Sequence, residues 1–138
     1  MRIDHVAHPC RDPEATHRFY SGLLGLTLTN AFAASESLML IYALPDGGSL
    51  VFTAGRTAGE ADREVDSEKE HAGLSVATRA ELDLWCSRLE ANGVKYRWVD
   101  NERIYFSDPN GLVLEIEVAS PLRADQNAYQ VMKRWLAG

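Results

Sequence analysis

The feature that most constrains this chain is an internal repeat. His5 opens a short apolar stretch and Phe19 follows it by 14 residues inside a helical pattern; His71 opens a second stretch and Trp85 follows at the same distance, placing the copies 66 residues apart. Self-similarity at such a period marks a supersecondary unit that buries its apolar face only against a neighbour. In the first copy IDHVAH reads as a strand and DPEATHRFYSGLLGL as a helix, with Asp12 at the N-cap, Pro13 at the first helical position and Gly25 as the stop. Ala15, Phe19, Leu23 and Leu24 fall at helical spacing. Strands are expected at Leu26 to Ala33, Ser37 to Leu44 and Ser49 to Ala54, the last two joined by the turn PDGG.

The second copy repeats that order. HAGLSVAT reads as a strand, and AELDLWCSRLEANGV as a helix that buries Leu82, Trp85 and Leu89 and stops at Asn92 and Gly93. Short strands follow at Lys95 to Val99, Arg103 to Ser107 and Leu112 to Val118, the last pair separated by DPNG. The expected architecture is therefore α+β: two βαβββ modules, about 1–55 and 69–119, in a single domain of 138 residues. Between them, 56–68 is polar and free of aromatic residues, which suits an exposed linker. A closing helix is expected over about 123–136, with Ala128, Val131, Met132 and Trp135 docking on this domain or on a neighbouring subunit.

Composition excludes several classes of function. Net charge is −6 and no Lys/Arg cluster tracks a phosphate backbone, so nucleic acid is not an expected partner. The longest apolar run, around Leu38 to Leu44, falls far short of the roughly 20 residues that span a bilayer. A strand pattern entered directly at Arg2 and Ile3, without a leader, and two cysteines that form no CxxC pair lead to the expectation of a reducing, cytoplasmic setting. Cys10, in the turn HPCRDP, is expected as an inert loop thiol, with surface exposure the alternative.

Chemistry points to a few residues. His5 and His71 hold equivalent places at the start of each module's first strand, and a pseudo-twofold between modules would bring both into a central cleft. Glu115 lies within LVLEIEV, where period-2 alternation puts residues 113, 115 and 117 on one face. Two imidazoles and a carboxylate suit one divalent metal (Fe, Mn, Ni, Co or Zn) with positions left open for a substrate that presents two neighbouring oxygens. Taken singly, each is as well read as a hydrogen-bonded packing residue. Tyr105 shares a strand face with Arg103 and Ser107. Arg103 is a candidate contact for an anionic substrate, or else a solvated edge arginine; Glu117 is a candidate base, or else a polar lining residue. Trp98, Tyr42 and Phe52 line the cup or belong to the core, and neither His8 nor His17 is expected as a ligand.

IDHVAHPCRDPEATHRFYSGLLGL, EHAGLSVAT and IYFSDPNGLVLEIE, in that order and spacing, resemble the vicinal oxygen chelate superfamily from Ile3 to Val118. The resemblance implies paired βαβββ modules forming an open, cup-shaped sheet around a metal, with ligands falling on His5, His71 and Glu115. It also implies a homodimer that acts on a small molecule. Within the superfamily, SLVFTA lacks the fourth carboxylate ligand of glyoxalase-type lyases. Ala7 and WVDNER depart from the Thr and the potassium loop of fosfomycin thiol transferases. IYFSDPNGLVLE resembles ring-cleaving dioxygenases in placing Tyr105 ten residues before Glu115, although their preceding His is absent. The expectation is a metal-dependent enzyme, dioxygenase-like ahead of lyase or isomerase chemistry, with Tyr105 and Glu117 catalytic and Arg103 binding substrate. The alternative is a metal-free, bleomycin-type binding protein.

Overall fold

The computed structural model describes residues 1–55, 70–120 and 126–138; the linker expected at 56–68 lies outside them. Strands β1 (His5–Pro9), β2 (Thr27–Ala33), β3 (Ser37–Ala43) and β4 (Ser49–Gly55) form one sheet in the order β1-β4-β3-β2. Strands β5 (Ala72–Val76), β6 (Tyr96–Asp100), β7 (Arg103–Ser107) and β8 (Val113–Val118) form a second in the order β5-β8-β7-β6. In both sheets the first strand runs parallel to the last and the remaining pairs are antiparallel. The duplicated βαβββ architecture is thus present as two open mixed sheets.

The helices begin where local chemistry directs. Helix α1 (Pro13–His17) is capped by Asp12, whose carboxylate accepts from the Ala15 N–H at 3.0 Å. It continues into π-helical turns over Arg18–Leu23, a widening that uniform helical spacing does not reveal, and ends at Gly25, whose φ of +73° needs a residue without Cβ. Helix α2 (Arg79–Ala91) is capped by Thr78 and closed by Asn92 and Gly93.

One apolar core fills the space between helices and sheets, drawing Phe19, Tyr20, Leu23, Tyr42 and Phe52 from the first module and Leu82, Leu89, Ile104, Phe106 and Leu114 from the second. Tyr42 and Phe52 are almost fully buried there, so they belong to the core and do not line the cup. A buried polar network crosses between the modules. The Tyr20 hydroxyl donates to Asp108 at 2.7 Å, and Asn110 accepts from the Arg11 N–H at 2.8 Å and donates to Thr16 at 3.1 Å. Cys10 lies against it, buried, with Sγ 3.2 Å from Thr16 Oγ1; burial, first of all, pushes its thiol pKa up, which disfavours the reactive thiolate. The turn containing Cys10 is held inward by a contact nearly a hundred residues away in sequence, from the Arg11 N–H to Asn110, so the alternative of an exposed thiol does not hold.

Helix α3 (Ala128–Leu136) has no buried residue and leaves Tyr129, Val131, Met132 and Trp135 exposed, so it does not dock on its own chain; the start expected at 123 lies outside the described residues. No helix among the described residues is long and apolar enough to cross a membrane.

Candidate functional site

Opposite the core, the second sheet presents a polar face. Glu115 pairs with Gly73 on one side and Tyr105 on the other, and Glu117 pairs with Ser75 and Arg103. Register partners in neighbouring strands share a face, so Tyr105, Arg103, Glu115 and Glu117 stand together there. His71, just ahead of β5, brings Nε2 to 3.6 Å from Glu115 Oε2, and the carboxylate itself is only 7% exposed. The rings of His71 and Tyr105 lie 5.1 Å apart. The Tyr105 phenol is pushed above its ordinary pKa, first by burial and then by the neighbouring Glu115 carboxylate, so it keeps its proton at neutral pH.

These residues are therefore assembled as the alternation of LVLEIEV indicates, while His5 stands apart. It opens β1 in the other sheet, its side chain is 56% exposed, and its Nδ1 lies 3.2 Å from Asp4 Oδ2. Among the described residues no group of three His, Cys, Asp or Glu side chains comes together to hold a metal. The cleft expected to unite both histidines is thus represented among the described residues by His71 and Glu115, without His5.

His71 and Glu115 nevertheless fit a cation as far as they go. Two ligand atoms each about 2.1 Å from an ion stand roughly 3.0 Å apart at a right angle and about 3.4 Å at a tetrahedral one, and the observed 3.6 Å needs only a small adjustment. Gly73 keeps the approach open: a Cβ built on it would lie 4.0 Å from Glu115 Oε1. Gly73→Leu should drive a side chain across the carboxylate and lower metal loading at least about tenfold, while a strand that gains a side chain holds or gains stability. Elemental analysis and urea unfolding on the same sample read both effects, and unchanged loading would show that Gly73 does not border the ligand.

Arg103 is less available than expected, since its Nε donates to Asp100 at 2.9 Å. Two further assignments change through one irregularity. Asp100 pairs with Arg103, and unbroken pairing from there would set Trp98 opposite Tyr105, on the polar face. Instead the register shifts between Trp98 and Asp100, so Trp98 pairs with the buried Ile104 and Arg97 pairs with Tyr105. Trp98 consequently faces α2, with the Arg79 guanidinium 4.5 Å from its ring centre, and does not line the cup. Arg97 takes its place, its guanidinium 5.0 Å from the Tyr105 ring centre. No sequence signal marks Val99 as the extra residue.

The chain matches the model of the Glyoxalase/Bleomycin resistance protein/Dioxygenase superfamily over residues 2–116 and belongs to that superfamily. Solved structures share its fold at low identity. A glyoxylase/bleomycin resistance protein/dioxygenase domain from Frankia sp. EAN1pec has a TM-score of 0.73 at 21% identity, covering 87% of this chain and 98% of that one. The fosfomycin resistance protein FosX from Listeria monocytogenes, complexed with Mn(II) and sulfate, has a TM-score of 0.70 at 16% identity over 86% and 93%. TnmS3, an antibiotic binding protein from Streptomyces sp. CB03234, has a TM-score of 0.68 at 22% identity over 87% and 97%. No curated protein matches significantly. A metal-bound resistance protein and an antibiotic binder thus share this fold, and the fold alone does not choose between them.

Proposed function

We propose that this protein is a divalent-metal-dependent enzyme acting on a small molecule through two neighbouring oxygens, with each metal held by His71 and Glu115 of one chain and His5 of a second copy. The observation that carries this reading is the half-site itself. A buried carboxylate and an imidazole converge on an open sheet face, while the equivalent histidine of the other module stands exposed and unconverged. A twofold dimer that sets the first sheet of one copy beside the second sheet of its mate would complete two identical sites. Large exposed apolar residues, Phe32 and Met39 on the open face of the first sheet and Trp135 on α3, suit such an association.

A divalent ion bound there would polarise a chelated oxygen pair and stabilise the negative charge that develops on it. This chain's own residues do the rest. Tyr105, the register neighbour of Glu115, presents its phenolic proton at the edge of the site. Glu117, two residues along on the same face, is the proposed proton acceptor. Arg103 stays in the proposal as a ligand contact through the N–H groups that Asp100 does not engage. Dioxygenase-like chemistry is placed ahead of lyase or isomerase chemistry on the likeness of IYFSDPNGLVLE.

The second reading, a metal-free binding protein, is favoured by one observation: His71 and Glu115 lie near enough to satisfy each other as an ion pair. Elemental analysis after incubation with Fe(II), Mn(II), Ni(II) or Zn(II) separates the two. The enzyme reading expects close to one ion per chain; less than about a tenth of an equivalent with every ion leaves the binding protein.

A further inference from the structure

Beside the half-site, the register shift in β6 places a cation that no motif announces. Arg97 lies opposite Tyr105, which itself lies opposite Glu115, so the three form a row across β6, β7 and β8 on the open face. The Arg97 guanidinium rests against the Tyr105 ring and has no carboxylate partner among the described residues. Arg18 pairs with Glu14, Arg79 with Asp83 and Arg103 with Asp100, while Arg88, which also lies over a ring, that of Trp85, reaches the Gly22 carbonyl. An arginine stacked on an aromatic ring with its N–H fork unengaged is pre-arranged for a planar or tetrahedral anion, because stacking fixes the plane without using the donors.

Arg97 also lines a cleft of about 640 Å³ at the open end of β6 and β7, together with Lys95, Tyr105 and Ser107, a size suited to a small ligand. Asp108 reaches the same cleft, but its oxygens are turned to the chain's own donors. Its carboxylate is buried and already accepts from the Tyr20 hydroxyl, the Asn110 side chain and two backbone N–H groups. In a chain of net charge −6 the cleft therefore presents two basic side chains and the Ser107 hydroxyl beside Tyr105, which on its other side neighbours Glu115.

We propose that Arg97 and Lys95 form an anion subsite that holds a carboxylate or phosphonate group of the ligand while its neighbouring oxygens face His71 and Glu115. The substrate class is then a small, singly or doubly charged anion bearing vicinal oxygens. This rests on the proposed location of the chelation site, whereas the subsite itself needs no metal.

The test is a series of like-shaped probes, catechol, 3,4-dihydroxybenzoate and 3,4-dihydroxyphenylphosphonate, titrated calorimetrically into the full-length protein with and without Mn(II). Wild-type protein should bind both anionic probes at least about tenfold more tightly than catechol in both conditions, the scale of one charge-assisted hydrogen bond. That preference should fall as salt is raised. A larger gain for the phosphonate than for the carboxylate identifies a dianion site. Arg97→Gln should abolish the preference, and Arg97→Lys should restore part of it, which separates lost charge from lost fold. Equal affinity for all three probes, or a preference that survives Arg97→Gln, overturns the subsite. Failure of Mn(II), Fe(II), Ni(II) and Zn(II) all to load overturns the metal reading instead, and the metal-free titration still decides the subsite.

Discussion

Neither His5→Ala nor Glu115→Ala protein should retain metal, yet refolding the two together is expected to restore about a quarter of wild-type loading. The fraction follows from the geometry. In a mixed dimer, one site combines the mutant His5 position of one chain with the mutant Glu115 position of the other and is doubly broken. The second combines wild-type His5 with wild-type His71 and Glu115. Random pairing makes about half the dimers mixed, and each carries one intact site of two. A site built within one chain has no such rescue, because every chain then lacks one ligand. The starting losses should be large: deleting one of three ligands from a shallow facial site leaves two, too few to hold a divalent ion against water. Metal recovered in proportion to mixed dimer would establish both the ligand set and its assembly; no recovery from a mixture shown to contain mixed dimers would sink the shared site.

Much of this arrangement is legible from the residues, and the parts that are not share a cause. The Asp12 cap and stops such as Gly25 and Gly93 act within a few positions of themselves, so the helices fall close to where pattern places them, while Thr78, read as the end of a strand, caps the second. The face shared by Glu115 and Glu117 is equally local, since β8 runs without interruption. Arg97 and Trp98 exchange faces because one extra residue in β6 reverses the alternation, and Val99 is as good a strand residue bulged as paired. His5 shows a different limit. Its match to His71 is a true feature of the repeat, but equivalence within a module does not say which partner module it meets. The two halves are joined through contacts that no local pattern announces, such as Phe19 with Phe106 and Tyr20 with Asp108.

The second large effect concerns that junction. Asp108→Ala is expected to cost about 3–5 kcal/mol, a large share of the 5–15 kcal/mol that holds a typical domain folded. Its carboxylate accepts from the Tyr20 hydroxyl at 2.7 Å, the Asn110 and Leu112 backbone N–H groups at 2.8 Å each, and the Asn110 side chain at 3.2 Å. Truncation leaves a fully buried phenol and two turn N–H groups without an acceptor, and a buried polar group left unpaired costs more than the net worth of the bond it loses. Tyr20→Phe makes the contrast. It removes a single donor, leaves Asp108 three others, and should cost only about 1 kcal/mol. In urea the Asp108→Ala midpoint should therefore fall by roughly 2 M and the Tyr20→Phe midpoint by well under 1 M, both in one transition with a slope close to wild type. Because Asn110 ties the same turn to Arg11 and Thr16, the damage reaches both modules at once. Equal costs for the two variants would mean that the phenol alone, and not the carboxylate hub, binds the first helix to the DPNG turn.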